Sequence, residues 1–236
     1  AMAKTQPVVR PMMAKLIYLD VGRCSYARTL ELQHALVGKV KADPDESAYL
    51  VLVEHDPPVI TVGKSGKREH ILASRRKLAA HGIEIVDTGR GGDVTYHGPG
   101  QIVGYPILRV DRHGRDVHRY LRDIEEVLIR VLSRFGIEGG RSEGLTGVWV
   151  GPEKVAAIGI AIRRWVSYHG FALNVTTDLS HFEKIVPCGI VDKGVTSMAK
   201  LLGGPIDVGQ VKEPLVECMA DVFGFDSVRK ASPQEI

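Results

Sequence analysis

Two apolar runs, 155–162 and 166–175, flank the triplet Arg163-Arg164-Trp165. No other stretch limits the fold as tightly. Two β-prone runs joined by so short a polar-tipped link read as an antiparallel hairpin. Folding about Arg164 sets Lys154 opposite Val175 and brings both ends of the hairpin to one end of a sheet. Along the first run Val155, Ala157, Gly159 and Ala161 form a small-residue face, and Lys154 alternates with Ile158, Ile160 and Ile162. The small face either leaves room for an apolar guest or admits a close-packed helix. Strict alternation aims Lys154 at the bulky face, so a terminal twist or loop is needed to turn it. His169 and Asn174 lie on the return run, where a buried, satisfied histidine is the ordinary reading.

The remaining pattern mixes strands and helices without strict alternation. Strands are expected at 16–21, 48–54, 59–62, 83–87, 102–110 and 147–150. Helices are expected from the Ser25 cap to about Lys41, and over 71–81, 116–135, 179–184 and 208–222. Such an order predicts an α+β fold, a mixed sheet with flanking helices, rather than a doubly wound parallel one. The expected organisation is a flexible segment over 1–15, one catalytic domain over 16–223 and a tail over 224–236. Lys and Arg exceed Asp and Glu by three, 31 against 28. That is too mild and too scattered for a nucleic-acid binder. No apolar run approaches the roughly 20 residues of a membrane helix. Cys24, Cys188 and Cys218 are odd in number and show no CxxC spacing, so neither a disulfide framework nor a zinc site is expected, and a reducing cytoplasm fits.

Two motifs carry chemistry. The run Ile185-Val186-Pro187-Cys188-Gly189-Ile190 presents a thiol between a Pro and a Gly. A thiol attacks as thiolate, which a nearby lysine favours by charge or by taking the proton. Lys154 is expected at the same end of the sheet. The second motif is Arg90-Gly91-Gly92-Asp93-Val94-Thr95-Tyr96-His97-Gly98-Pro99-Gly100-Gln101. Thr95 and His97 share one face of a short strand, and the glycines let backbone N–H groups approach a ligand. This is either a substrate cradle or a glycine-rich turn. It is neither GxGxxG nor GxxxxGK[ST], so a nucleotide-phosphate loop has little support. His113 and His118 have no third ligand, and no metal is expected. Glu125 and Glu126 are read as solvated charge on the long helix.

These residues, with Tyr105-Pro106, Gly147-Val148-Trp149, Lys154-Val155-Ala156-Ala157-Ile158-Gly159, His169-Gly170-Phe171-Ala172-Leu173-Asn174 and Pro187-Cys188-Gly189, resemble the signature of the lipoyl(octanoyl) transferases. The resemblance runs from about Leu16 to Phe223, in family order. It implies the fold of biotin and lipoate protein ligase catalytic domains. It implies transfer of octanoyl from octanoyl-acyl carrier protein to a lysine of lipoyl domains, in 2-oxoacid dehydrogenase complexes and the glycine cleavage H protein. Carried over by position, Cys188 is the acyl-accepting nucleophile and Lys154 activates it. Arg90, Gly91, Gly92, Asp93, Val94, Thr95, Tyr96 and His97 would line the substrate site. So would Ala157, Ile158, Gly159, Gly170, Phe171 and Ala172, with His169 and Asn174 in support. No cofactor is expected. The alternatives are an ATP-dependent ligase of the same fold, which would not need Cys188, and a non-catalytic acyl-binding scaffold.

Overall fold

The structure is a computed structural model that describes residues 15–43, 47–186 and 193–236. Its main sheet is built from β1 (Lys15–Cys24), β2 (Ala48–His55), β6 (Gln101–Ile107), β7 (Gly140–Ser142), β8 (Leu145–Val150), β9 (Glu153–Arg163), β10 (Val166–Asn174), β11 (Gly194–Val195) and β12 (Ser227–Lys230). The strand order is β12-β1-β2-β6-β10-β9-β8-β7, with β11 also paired to β9. A second sheet holds β3 (Val59–Val62), β4 (Glu84–Asp87) and β5 (Val94–His97) in the order β4-β3-β5. β1 runs parallel to both β2 and β12, while β2, β6, β10, β9 and β8 pair antiparallel. The sheet is therefore mixed, as the element order predicts.

Each face of the main sheet buries its own core. On one face α3 (Val117–Arg134) and α5 (Val208–Phe223) cover Leu50, Ile102, Val155, Ala156, Phe171 and Leu173. α3 is strongly amphipathic, and its stripe of Tyr120, Ile124, Val127, Leu128 and Val131 is buried. Asp116 caps it by accepting from the Arg119 N–H at 3.0 Å. On the other face α1 (Tyr26–Ala42) packs Leu36, Val37 and Val40 against Val51, Val103 and Ala172. A third cluster joins the small sheet to the 3-10 turn Leu179–Lys184 through Ile60, Val94, Tyr96 and Phe182. No described helix is long and apolar enough to cross a membrane.

Four elements depart from expectation. The helix expected over 71–81 shrinks to α2 (Arg75–Ala80). The N–H groups of Leu72 and Ala73 donate instead to the Lys184 carbonyl, at 2.9 and 3.2 Å, and Ser74 caps the shorter helix. The strand expected over 102–110 ends at Ile107, because Val110–Arg112 closes into a 3-10 turn. Residues 227–230, inside the stretch read as a tail, pair in register with 15–18 at the sheet edge. The short α4 (Met198–Leu202) was not expected and follows β11.

Candidate active site

The hairpin forms with the anticipated register: Val166 faces Arg163, Gly170 faces Gly159 and Leu173 faces Ala156. The irregularity that Lys154 needs lies on the other side of β9. Val148 of β8 stands opposite Ala156, and the next residue, Trp149, stands opposite Lys154. β9 thus carries one extra residue, a β-bulge, and its facing parity flips there. Val155 and Ala156 both enter the core beneath α3. Lys154 turns to the opposite face, where it lines a channel with Thr95, Gln101, Ala157, Ala172, Asn174, Phe182 and Val195.

Lys154 is only 8 % exposed. Its ammonium lies 4.7 Å from the centre of the Trp149 ring, and Lys193 approaches the same ring at 4.9 Å. Its backbone is fixed by β11, with Val195 opposite it and the Thr196 N–H donating to its carbonyl at 2.9 Å. Asn174 donates to the Thr196 carbonyl at 3.1 Å and accepts from Gln101 Nε2 at 2.9 Å. Gln101 Oε1 in turn meets His97 Nδ1 at 2.8 Å. A continuous polar relay therefore holds the Lys154 end of the channel. Such buried networks rigidify a site only when every member is satisfied.

The channel continues into a cavity that shares Thr95, Ala157 and Ala172 with the Lys154 end. Arg90, Gly92, His97, Ile158, Gly159, His169, Gly170 and Phe171 also line it, with Tyr26, Val103 and Tyr105. Its free volume is about 40 Å³. β5 sorts the glycine-rich motif by face. Thr95 and His97 point into the cavity, whereas Val94 and Tyr96 point into the third core. Asp93 is turned aside to His70 and to the Lys67 N–H. Gly91 lies across β9 and donates to the Ile160 carbonyl at 2.8 Å. That crossing explains Gly159: a Cβ there would sit 2.9 Å from the Gly91 carbonyl oxygen. The small-residue face thus lines a cavity at Ala157 and, at Gly159, admits a close-packed loop where a helix was the expected alternative. Phe171 contributes its backbone edge, while its ring packs in the core beneath the helices.

Arg90 anchors this wall through Thr61, donating Nη2–H to its carbonyl and hydroxyl at 2.7 Å. Three histidines sit nearby. Burial lowers His55 and His169 from 6.5 to about 4, and pushes the fully enclosed His97 well down too. All three are neutral at pH 7. His169 holds a left-handed backbone, φ 57°, and donates its N–H to Gln33 Oε1 at 2.8 Å.

Cys188 lies outside the described residues, as do Pro187 and Gly189. The chain on either side is tied to the site. The Val186 N–H donates to the His70 carbonyl at 2.8 Å, and β11 pairs beside Lys154.

Two contributors escaped the sequence reading. Glu125, read as solvated, is fully buried. It accepts from the Gly147 N–H at 3.1 Å, from Arg122 at 2.7 Å and from Arg141 at 3.0 Å. Gly147 packs on the Lys154 stem, so Glu125 braces that side chain from below. The available signal was position: Glu125 falls four residues after Leu121 and three before Leu128, on the helix's apolar stripe. The second is His55, whose Nε2 meets the Tyr105 hydroxyl at 2.6 Å behind the cavity. Among the described residues no cluster of three or more His, Cys, Asp or Glu could hold a metal.

Comparison with known proteins places this site in context. Residues 25–220 match the lipoyl protein ligase A/B catalytic domain. The chain is 46 % identical over 211 residues to the octanoyltransferase of Alkaliphilus metalliredigens, covering 89 % of this chain and 96 % of that one. It is 49 % identical over 213 residues to the octanoyltransferase of Solibacter usitatus, covering 90 % and 95 %. Among solved structures it resembles the bipartite lipoate protein ligase of Thermoplasma acidophilum, studied with its E2 lipoyl domain. That match has a TM-score of 0.74 at 17 % identity and covers 94 % and 88 % of the two chains. With a family domain matched over most of its length and relatives nearly half identical over nine-tenths of it, this chain belongs to the lipoyl protein ligase A/B catalytic domain family, among its octanoyltransferases.

Proposed function

We propose that this protein moves an octanoyl group from octanoyl-acyl carrier protein to a lysine of lipoyl domains, as the first step of protein lipoylation, through a thioester on Cys188. The observation that carries the reading is the bulge in β9, which turns Lys154 into the mouth of a largely apolar channel. An aliphatic chain in the cavity would leave its carbonyl beside Lys154. The acceptors are the lipoyl domains of 2-oxoacid dehydrogenase complexes and the glycine cleavage H protein, and the setting is the cytoplasm.

In the first step Lys154 takes the Cys188 proton, and the thiolate attacks the donor thioester carbonyl. The C–S bond to the carrier breaks, and the departing thiolate receives the proton from Lys154. One thioester replaces another, so ATP has no part. In the second step the acceptor amine attacks the Cys188 thioester. Lys154 takes a proton from the amine and returns it to the Cys188 sulfur as that bond breaks. The product amide is more stable than the thioester, which drives the transfer forward. The neutral histidines and the Arg90 wall keep the cavity free of mobile charge.

Intact-protein mass spectrometry tests this reading. Mixing the protein with octanoyl carrier protein, without ATP, should add one octanoyl group that maps to Cys188 and passes to an added lipoyl domain. Cys188→Ser should remain folded and transfer nothing. An adduct that needs ATP and free octanoate would identify a ligase instead, and acyl binding without turnover a scaffold.

A further inference from the structure

Lys154 borders two spaces. One is the apolar channel. The other is a cleft of about 330 Å³, lined by Leu121 of α3, by Leu145 and Thr146 of β8, by Ile158 and Ile160 of β9 and by the turn at Gly91. The cleft exists because β8 and β9 part. Their pairing begins only at Val148, opposite Ala156. One residue earlier the Gly147 N–H turns to Glu125, at 3.1 Å, and Leu145 pairs back to Ser142. Farther along β9, the Gly91 N–H reaches the Ile160 carbonyl at 2.8 Å.

Between these two points the edge of β9 is open, and strand parity fixes which groups face the opening. Arg164 and Trp165 both hold positive φ, 51° and 65°, as a tight hairpin turn requires. Arg163 and Val166 are then a hydrogen-bonded pair. Alternate β9 residues, Ile162, Ile160 and Ile158, therefore turn their N–H and C=O groups away from β10. The bond from Gly91 to Ile160 agrees with that parity. Among the described residues no backbone bond engages the Ile158 N–H, the Ile158 carbonyl or the Ile160 N–H. An open strand edge among apolar side chains takes an extended chain that carries amides, through main-chain hydrogen bonds.

We propose that this cleft holds the thiol arm of the acyl donor, a pantetheine-type chain whose amides pair with the β9 edge at Ile158 and Ile160. The inference rests on the acyl-transfer reading. A thioester with its carbonyl beside Lys154 has two ends to place. The acyl tail takes the channel and the arm takes the cleft. Ile158 lies four residues from Lys154, at most about 13 Å at strand rise, which such an arm spans. Its methylenes and dimethyl group meet Leu121, Leu145 and Ile160. The arm leaves with the carrier after the first step, which clears this side of Lys154 for the acceptor amine.

The test measures acyl-enzyme formation from the octanoyl thioesters of ethanethiol, N-acetylcysteamine and pantetheine, which carry no amide, one amide and two. In wild type the second-order rate constant should rise about fivefold with each amide, the worth of one hydrogen bond. Thr146→Trp places an indole in the cleft and should cut the pantetheine-to-ethanethiol ratio from about 25-fold to under about threefold. Leu121→Trp, on α3, decides if Thr146→Trp does not fold. Equal rates for the three esters in wild type, or an undiminished ratio in a folded variant, would overturn the proposal. So would variants that keep the ratio and slow only the passage of octanoyl to the lipoyl domain, which would assign the cleft to the acceptor. Calorimetry with octanoate and with unreactive S-octyl pantetheine separates this proposal from the transfer reading. No adduct from any ester, with S-octyl pantetheine binding lost in the variants and octanoate binding kept, would refute the transfer chemistry and uphold the cleft. Adducts that form equally from all three esters would do the reverse.

Discussion

Acid should unfold this protein by charging its buried histidines, in a window set by His55, His97 and His169. Burial holds His55 and His169 at about 4 in the folded chain, against 6.5 when unfolded, and shifts His97 in the same direction. Between those values the unfolded chain binds protons that the folded chain does not, so stability falls as pH falls. The contribution is complete above about pH 7. It drains between 6.5 and 4 and levels off below. At pH 5 a site shifted from 6.5 to 4 has lost about 2 kcal/mol. His55 and His169 together then cost about 4 kcal/mol, a large share of a stability of about 5–15 kcal/mol, and His97 adds to it. Near pH 5.5 each site contributes a slope of about 1.2 kcal/mol per pH unit. Urea unfolding followed by the fluorescence of the two tryptophans, Trp149 and Trp165, at several values from pH 5 to 7 measures this slope. Asp111, Glu126 and Asp178 are held below their ordinary values by partners, and their contribution is lost at lower pH than this window. The expected slope is at least 2 kcal/mol per unit, and His55→Gln should remove about one site's share. A slope under about 1 kcal/mol per unit would refute the argument that these rings are neutral because they are buried.

Three other outcomes follow from the packing. Glu125→Gln should cost about 2 kcal/mol in urea unfolding, because the buried carboxylate loses charge-assisted bonds to Arg122 and Arg141; it should also slow transfer, since Gly147 would no longer brace Lys154. Gly159→Ala places a Cβ 2.9 Å from the Gly91 carbonyl oxygen and 3.2 Å from Arg90 Cδ, so it should cost about 1–3 kcal/mol and weaken acyl binding in the same calorimetry. Lys154→Arg keeps the charge but cannot give up its proton, so kcat in single-turnover transfer should fall about 100-fold or more with folding intact.

Much of the fold was legible because it rests on short-range pattern. The hairpin register follows from two apolar runs and a three-residue link, and β3 was read at its observed bounds. The parity of β5 also followed, with Thr95 and His97 on one face and Val94 and Tyr96 on the other. Elements defined by partners rather than by their own pattern did not show. β11 is two residues long and exists because it pairs with Lys154's strand. β12 is exposed throughout and carries no apolar alternation. Leu72 and Ala73 leave the expected helix because the Lys184 carbonyl, over a hundred residues away, takes their N–H groups.

The candidate site divides the same way. Sequence alone set Lys154 opposite the end of the return strand, since alternation and hairpin closure are local rules. It also showed that Lys154 could not reach that face by alternation. Only the tertiary structure decided how it does, because the bulge at Val155 is a mismatch between two strands and belongs to neither by itself. The neutrality of the histidines and the burial of Glu125 are likewise set by what packs around each group. A residue's charge state and the length of the space beside it depend on neighbours brought from elsewhere in the chain, and the folded arrangement alone supplies those neighbours.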